Sequence, residues 1–290
     1  MLFLLKKQRK EEESMRKIFL LIVLFTAVIT VSACSTEGGF DLTTETEIVV
    51  GLEAAYAPFN WATPTENSFT VPIANQTGFY ADGFDVVMAQ EIADALGLTL
   101  VIRAIEWDGL IPALLAGEID LIIAGMSPTS ERAQTVAFSD PYFQSEQVMV
   151  VRTNGDFADA TSLNDFNGAR VVAQLGTLQD DLIDQITGVN HQAALGDYAS
   201  LVTALLNNAS DAFVAELPVA MGIVAANPSL SYISFTESNG FVVTPEDVTV
   251  SVALRQEDTA LLSAINDALN AISIDARNAY MEAALTRQPQ

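Results

Sequence analysis

Apolar positions along the chain keep two alternating rhythms from Glu47 onward. Ile48–Leu52 is a β-branched run and predicts a strand. Phe84, Val87, Met88, Ile92, Ala95 and Leu96 recur at helical spacing, and Gly97 closes that helix. Leu98–Ile102 reads as a strand, Leu110–Ala116 as a short helix and Ile119–Ala124 as a buried strand. A second set opens with the extended run Val148–Val151 and continues with a strand at Arg170–Ala173 and a helix at Leu178–Ile186. Asp197 caps a helix through Leu206, Asp211–Ala215 is a strand, Pro218 sits in a first helical turn, and Leu230–Phe235 is a strand. A strand over Val248–Leu254 and helices at Thr259–Ile272 and near Arg277–Leu285 end the chain. This β-α alternation predicts an α/β fold with largely parallel sheets in two units joined by extended segments. Periodicity fixes neither the strand order nor the unit to which the last strand and helices belong.

The first residues follow a different pattern. Met15-Arg16-Lys17 precedes the apolar run Ile18–Ile29, then Val31-Ser32-Ala33-Cys34. A positive start, a short apolar core and small residues predict a secretory signal over residues 1–33, with Met15 as the true start. The ending resembles a bacterial lipobox, which would make Cys34 the lipidated first residue of the mature chain. The polar stretch after it predicts a tether over residues 34–45.

Composition narrows the function. The 290 residues carry a formal charge of −24, which repels phosphate backbones and excludes a nucleic-acid partner. One Cys and one His support neither a structural zinc site nor a disulfide framework, and no metal or cofactor is expected. Every basic residue after Lys17 is Arg, so few cations remain to meet an anionic ligand.

Ligands of open α/β sheets bind beyond the carboxyl ends of strands, beside helix N-termini, so the residues after each strand are the candidates. Gly125-Met126-Ser127-Pro128-Thr129-Ser130-Glu131-Arg132 follows the strand at 119–124, with Thr129 as an N-cap. Arg132 in a first turn opposes the helix dipole, a conflict that a bound carboxylate or a surface ion pair would relieve. Gln174-Leu175-Gly176-Thr177 precedes a helix whose first N–H groups are free to hold a carboxylate. Glu216 ends the strand at 211–215, either receiving an ammonium group or facing solvent. Tyr56 and Trp107 stand in post-strand loops, where aromatic rings can wall a ligand.

These stretches, with Tyr56-Ala57-Pro58-Phe59, Gly83-Phe84-Asp85-Val86, Trp107-Asp108-Gly109-Leu110-Ile111-Pro112-Ala113-Leu114 and Phe138-Ser139-Asp140-Pro141-Tyr142, occur in an order that resembles the extracellular solute-binding proteins of polar amino-acid ABC transporters. The resemblance spans roughly residues 46 to 285. It implies a type 2 periplasmic-binding-protein fold: two lobes, each a mostly parallel sheet flanked by helices, joined by two hinge strands. Lobe 1 would be residues 46–150 plus 238–290, and lobe 2 residues 151–237. By the same resemblance Arg132 clamps a ligand α-carboxylate, helped by Ser127 and by the backbone at Thr177 and Leu178. Glu216 holds the α-ammonium with the Gly125 carbonyl and the Ser127 hydroxyl. Met126 belongs to the same loop, Tyr56 and Trp107 sandwich the ligand, and Glu53 and Gln174 decide side-chain specificity. Two departures stand out: Glu216 replaces the Asp of many relatives, and the Trp61–Gly83 loop is long. The implied partners are a free amino acid, glutamine- or arginine-like, a membrane ABC permease and the lipid on Cys34. The implied protein is a non-enzymatic monomer anchored outside the cytoplasm. A cyclohexadienyl-dehydratase-like lyase and a ligand-sensing subunit are the alternatives on the same fold.

Overall fold

The computed structural model describes residues 39–236 and 238–289; the expected signal segment and Cys34 lie outside the described residues. The first lobe is built on a five-stranded sheet ordered β6 (Thr99–Ala104), β1 (Glu47–Leu52), β7 (Leu121–Ile122), β16 (Ala253–Leu254), β8 (Ala137–Phe138). β1 forms where its β-branched run can be buried on both faces, and it pairs in parallel with β6 and β7. Helix α1 (Phe84–Leu96) buries Phe84, Met88 and Ile92 and stops at Gly97, whose φ of 71° ends the helix in the left-handed region. Helices α2 (Leu110–Leu115), α6 (Thr259–Ala271) and α7 (Ile274–Arg287) complete this lobe, with α1 packed on α6 and α7.

The second lobe holds the sheet β12 (Asn190–His191), β11 (Arg170–Val172), β13 (Ala212–Glu216), β10 (Gln147–Arg152), β14 (Leu230–Ile233). Helices α3 (Leu178–Ile183), α4 (Tyr198–Leu206) and α5 (Leu217–Ala226) flank it. Both faces of this sheet are buried, and residues alternate between them. Val148, Val150, Phe213 and Ala215 join the core that continues into the first lobe. Met149, Val151, Ala212 and Val214 join a second core with Phe166 and Leu182.

Each sheet has a single strand running against the rest, and in each case it is the strand that enters the lobe from the other one. β10 is antiparallel to both β13 and β14, and β16 is antiparallel to both β7 and β8. The chain crosses at β9 (Phe143–Gln144) and returns at β15 (Thr249–Val250), and these two segments pair antiparallel. They are the two hinge strands. The return also answers what periodicity left open: β16, α6 and α7 belong to the first lobe.

Several predicted elements are reshaped by tertiary pairing. Val248–Leu254 is two strands, because the chain leaves β9 at Val250 and joins the main sheet at Ala253. Ile119–Ala124 pairs only at Leu121–Ile122, although Ile119, Ile123 and Ala124 are buried as well. The helix from Leu178 ends at Ile183 rather than Ile186. The Trp61–Gly83 region, without an assignment from sequence, joins the segment before it in a four-stranded antiparallel sheet ordered β2 (Ala55–Tyr56), β3 (Asn60–Thr63), β5 (Tyr80–Asp82), β4 (Val71–Pro72). Arg287 fastens it to α7 through an ion pair with Asp82 (2.9 Å) and by covering the Phe69 ring. The expected tether also docks in part: Phe40 and Leu42 pack on the core, and the Phe40 N–H donates to Asp258 (2.6 Å). Apolar side chains in a polar stretch are thus given a surface to cover.

Gly83 begins α1 at φ 135°, and a Cβ there would lie 2.2 Å from the Phe59 carbonyl oxygen. Backbone cannot yield as a side-chain tip can, so Gly83→Ala is expected to destabilise the protein by at least about 2 kcal/mol. Thermal unfolding at fixed pH checks this, and an unchanged melting temperature would contradict it.

Candidate functional site

The loops that follow β1, β6, β7 and β11 converge on a narrow cavity between the lobes. Glu53, Tyr56, Trp107, Gly125, Ser127 and Arg132 line it from the first lobe, and Gln174, Thr177, Leu178, Gln179 and Tyr198 from the second. Nine of the eleven residues expected from the sequence therefore line one space. The remaining two sit just behind it. Met126 is buried in the core, with its carbonyl accepting the Ser251 N–H. Glu216 is 1 % exposed and accepts a 2.7 Å hydrogen bond from the Tyr56 hydroxyl. Gln179 and Tyr198 were not legible in sequence, because their positions on α3 and α4 read as ordinary helix faces.

Local turns explain how these side chains are aimed. Thr129 caps the turn at Arg132–Gln134: its hydroxyl accepts the Arg132 N–H (3.4 Å) and its carbonyl the Ala133 N–H (3.0 Å). That turn is a single short 3-10 segment rather than a longer helix. It brings the Arg132 guanidinium back over its own loop, where it donates to the Ser127 carbonyl (2.9 Å) and across the cleft to the Gly176 carbonyl (3.3 Å). The guanidinium also lies over the Trp107 ring, 5.1 Å from its centroid. Among the described residues Arg132 has no ion-pair partner. Burial accordingly pulls its pKa down, partly countered by the surrounding carboxylates.

The opposite wall is the start of α3. Thr177 caps it by accepting the Asp180 N–H (3.3 Å), while its hydroxyl donates to the Gln174 carbonyl (2.7 Å). A helix start leaves its first N–H groups without intrahelical partners, so the Thr177 end of α3 offers donors opposite Arg132. Gly125 adopts φ 63°, and a Cβ there would come within 2.8 Å of Tyr56 Cε1. Tyr56 in turn stacks on Phe59 at 5.2 Å and meets Tyr198 at 5.0 Å.

Direct contacts tie the lobes together. The Trp107 indole donates to the Gly176 carbonyl (2.9 Å), Gln174 donates to Glu53 (2.8 Å), and Tyr56 reaches Glu216. The structure is therefore a closed state. Outside Arg132 the cleft widens and carries Glu131, Asp180, Asp181 and Asp247.

Three carboxyl groups in and behind the site are hard to ionise. Burial pushes Glu53 and Glu216 up to about 7, and Asp85 up to about 6. For Glu53, the Gln174 hydrogen bond works against burial, while Glu106 and Asp197 reinforce it. For Glu216, Tyr56 and Arg132 lower the value while Asp85 raises it.

A single guanidinium set against ionisable carboxyl groups, inside a cleft that closes about a hinge, defines a small-solute binder of the two-lobed periplasmic type. Comparison with known proteins agrees. Residues 48–282 match the family described as bacterial extracellular solute-binding proteins, family 3, and the chain belongs to that family. Its members bind solutes and are not enzymes. A probable histidine-binding protein of Campylobacter jejuni is 33% identical over 213 residues, covering 72% of this chain and 77% of that protein. The arginine-binding extracellular protein ArtP of Bacillus subtilis is 26% identical over 88% of this chain and 92% of its own. Among solved structures, a mutant of ArgBP from T. maritima aligns with TM-score 0.68 at 34% identity, covering 83% of this chain and 96% of that one. An amino acid ABC transporter substrate-binding protein from Streptococcus pneumoniae, bound to L-arginine, gives 0.72 at 26% identity, covering 83% and 94%.

The buried carboxyl groups set the sign of a pH effect. Their folded pKa values exceed the unfolded ones, so the folded state holds more protons between about pH 4 and 7. Their stabilisation is full below the unfolded values and is lost as pH rises through 6 to 7. The melting temperature of the ligand-free protein is expected to rise on acidification from pH 8 to pH 6. Glu216→Gln should flatten that rise, and calorimetry across this range is the check.

Proposed function

We propose that this protein captures a basic L-amino acid, arginine foremost, and delivers it to an ABC permease. The observation that carries the reading is the charge set of the cavity: one guanidinium, Arg132, against the carboxyl group of Glu53, with Glu216 behind Tyr56. That set complements a ligand with one carboxylate and two cationic groups. In this reading Arg132 holds the α-carboxylate by paired charge-assisted bonds, with Ser127 and the N–H groups of Thr177 and Leu178 assisting. Glu216 balances the α-ammonium, with the Gly125 carbonyl and Ser127 hydroxyl nearby. Tyr56 and Trp107 flank the aliphatic part of the ligand, and Glu53 receives the distal cation. The names of the arginine-binding relatives support the same choice.

Glutamine is the second candidate, since Gln174 already presents an amide to Glu53. An acidic amino acid would set a second carboxylate beside Glu53 without a second cation. The lyase alternative gains nothing from the family match. Transport and sensing use the same ligand site and differ only in the partner.

The boundaries expected from the resemblance, 46–150 plus 238–290 and 151–237, move to the hinge strands: lobe 1 is proposed as residues 46–144 plus 249–290 and lobe 2 as 145–248, since β10 pairs within the second sheet and Phe241 packs in its core. A signal over residues 1–33 and a lipid on Cys34 would hold the monomer at the outer face of the membrane. Ligand bound across the cleft favours the closed state because only that state pairs all of its charges.

Calorimetry with arginine, histidine, lysine and glutamine tests the proposal. Arg132→Ala leaves a buried ligand carboxylate unpaired and should cost about 3–5 kcal/mol of binding energy without unfolding the protein. Glu53→Gln should weaken arginine binding at least tenfold (about 1.4 kcal/mol) while sparing glutamine. Arginine affinity should rise from pH 6 to pH 8, with proton release, because Glu53 and Glu216 must ionise. Equal affinity for arginine and glutamine in the Glu53→Gln and native proteins would refute the choice of ligand.

A further inference from the structure

Asp85 is a fully buried carboxylate in the first turn of α1 that none of the ligand contacts above uses. Its Oδ1 accepts the Tyr142 hydroxyl proton (2.7 Å), and its Oδ2 accepts from the Asn60 side-chain amide (2.9 Å). Each of these partners reaches a different wall of the cavity. The Asn60 Oδ1 accepts the Ala54 N–H (2.8 Å), at a residue with φ 57° that joins Glu53 to Tyr56. The Tyr142 hydroxyl accepts the Gly125 N–H (3.3 Å), and the Gly125 backbone also acts on Asp85 itself. Tyr142 adjoins hinge strand β9, and its own N–H donates to the Val250 carbonyl of β15. The α1 start is bound to the same loop, because the Phe84 and Asp85 N–H groups donate to the Pro58 and Phe59 carbonyls at 3.0 and 2.8 Å.

We infer that Asp85 is a positioning residue for ligand capture: one buried carboxylate gathers the Glu53–Tyr56 turn, the Gly125 loop and the hinge into a fixed arrangement. Without it, Asn60 and Tyr142 lose their common acceptor, and the two cavity walls can separate. The Asp85 charge has a second consequence. The titratable group beside it is Tyr142, whose hydrogen bond favours the ionised form against burial, and Asp85 in turn opposes the ionisation of Glu216 across the cleft. An ammonium bound at Glu216 screens both.

Two variants separate this role from simple support of the fold. Asp85→Asn keeps the shape, removes the charge and frees Glu216 from its repulsive neighbour. Arginine affinity at pH 8 should fall at least about tenfold, as expected for lost bonds to an ionised acceptor, and the acid limb of the affinity profile should move to lower pH. Tyr142→Phe removes a hydrogen bond that favours ionised Asp85, so affinity should fall and the acid limb should move to higher pH. Opposite shifts are not produced by general loosening. The affinity readout rests on the arginine reading above. Carbon-13 NMR titration of the ligand-free protein does not, and there the Glu216 midpoint should fall in Asp85→Asn. Native affinity and acid limb in both variants, or an unmoved Glu216 midpoint in Asp85→Asn, would overturn the inference. If Asp85→Asn does not fold by circular dichroism, Tyr142→Phe decides alone: the upward-shifted limb supports the inference and an unshifted one overturns it. A native protein that binds no arginine would defeat the proposed function, while the NMR result still decides the role of Asp85.

Discussion

Arg132 is a guanidinium held between two lobes by carbonyl oxygens and an aromatic face instead of a carboxylate. Taking such a group out of water is unfavourable unless its charge is met, and carbonyl dipoles meet it only in part. Much of the surrounding architecture serves to keep it there. The Thr129 cap curls the chain under it, the Ser127 carbonyl faces it, and Gly176 at φ 70° turns its own carbonyl toward both Arg132 and Trp107. A protein so rich in carboxylates could readily have paired this arginine. Among the described residues Arg152, Arg170, Arg255 and Arg287 are paired, and of the arginines without an ion pair (Arg103, Arg132 and Arg277) Arg132 is the one that lines the cavity between the lobes.

The topology supplies the movement that such a ligand requires. Both lobe sheets admit one reversed strand, and each reversed strand is the one fed directly from the hinge. The chain crosses twice at adjacent, mutually paired segments, so the lobes share a narrow two-stranded connection. Rotation about such a connection changes the cleft while leaving both sheets intact. The polar contacts across the closed cleft, Trp107 and Arg132 to Gly176, Gln174 to Glu53 and Tyr56 to Glu216, are individual hydrogen bonds. Bonds of this kind exchange readily for bonds to a ligand, since each is worth only about 1 kcal/mol net.

Charge follows the same logic at two scales. The whole chain is strongly acidic, and the cleft outside Arg132 carries four acidic side chains. Such a mouth concentrates cations and repels anions. Deeper in, burial raises Glu53, Asp85 and Glu216 toward neutrality, so the empty site need not hold three negative charges against one guanidinium. A cationic ligand, as proposed above, would restore their ionised forms. Affinity and proton release are therefore coupled by the burial that shapes the cavity.

The sequence by itself determined the rhythm of elements and most of the site. Caps such as Asp197 and Thr177, the Gly97 stop and the post-strand position of Arg132 are local consequences of side-chain chemistry, and local chemistry is legible along the chain, whereas Glu53 is reached only through the family resemblance. Tertiary structure alone decided what depends on distant partners. The split of Val248–Leu254, the small sheet made from the Trp61–Gly83 region and the docking of Phe40 all arise from pairing across long sequence separations. Gln179 and Tyr198 entered the site because neighbouring helices happen to present them there, and periodicity cannot distinguish a face turned to a cavity from one turned to a core. The same limit hid Asp85, an acidic residue in a first helical turn, where a helix dipole alone would explain it. Only the folded chain brings Asn60 and Tyr142 to its two oxygens, because the contacts that define it span 25 and 57 residues of sequence.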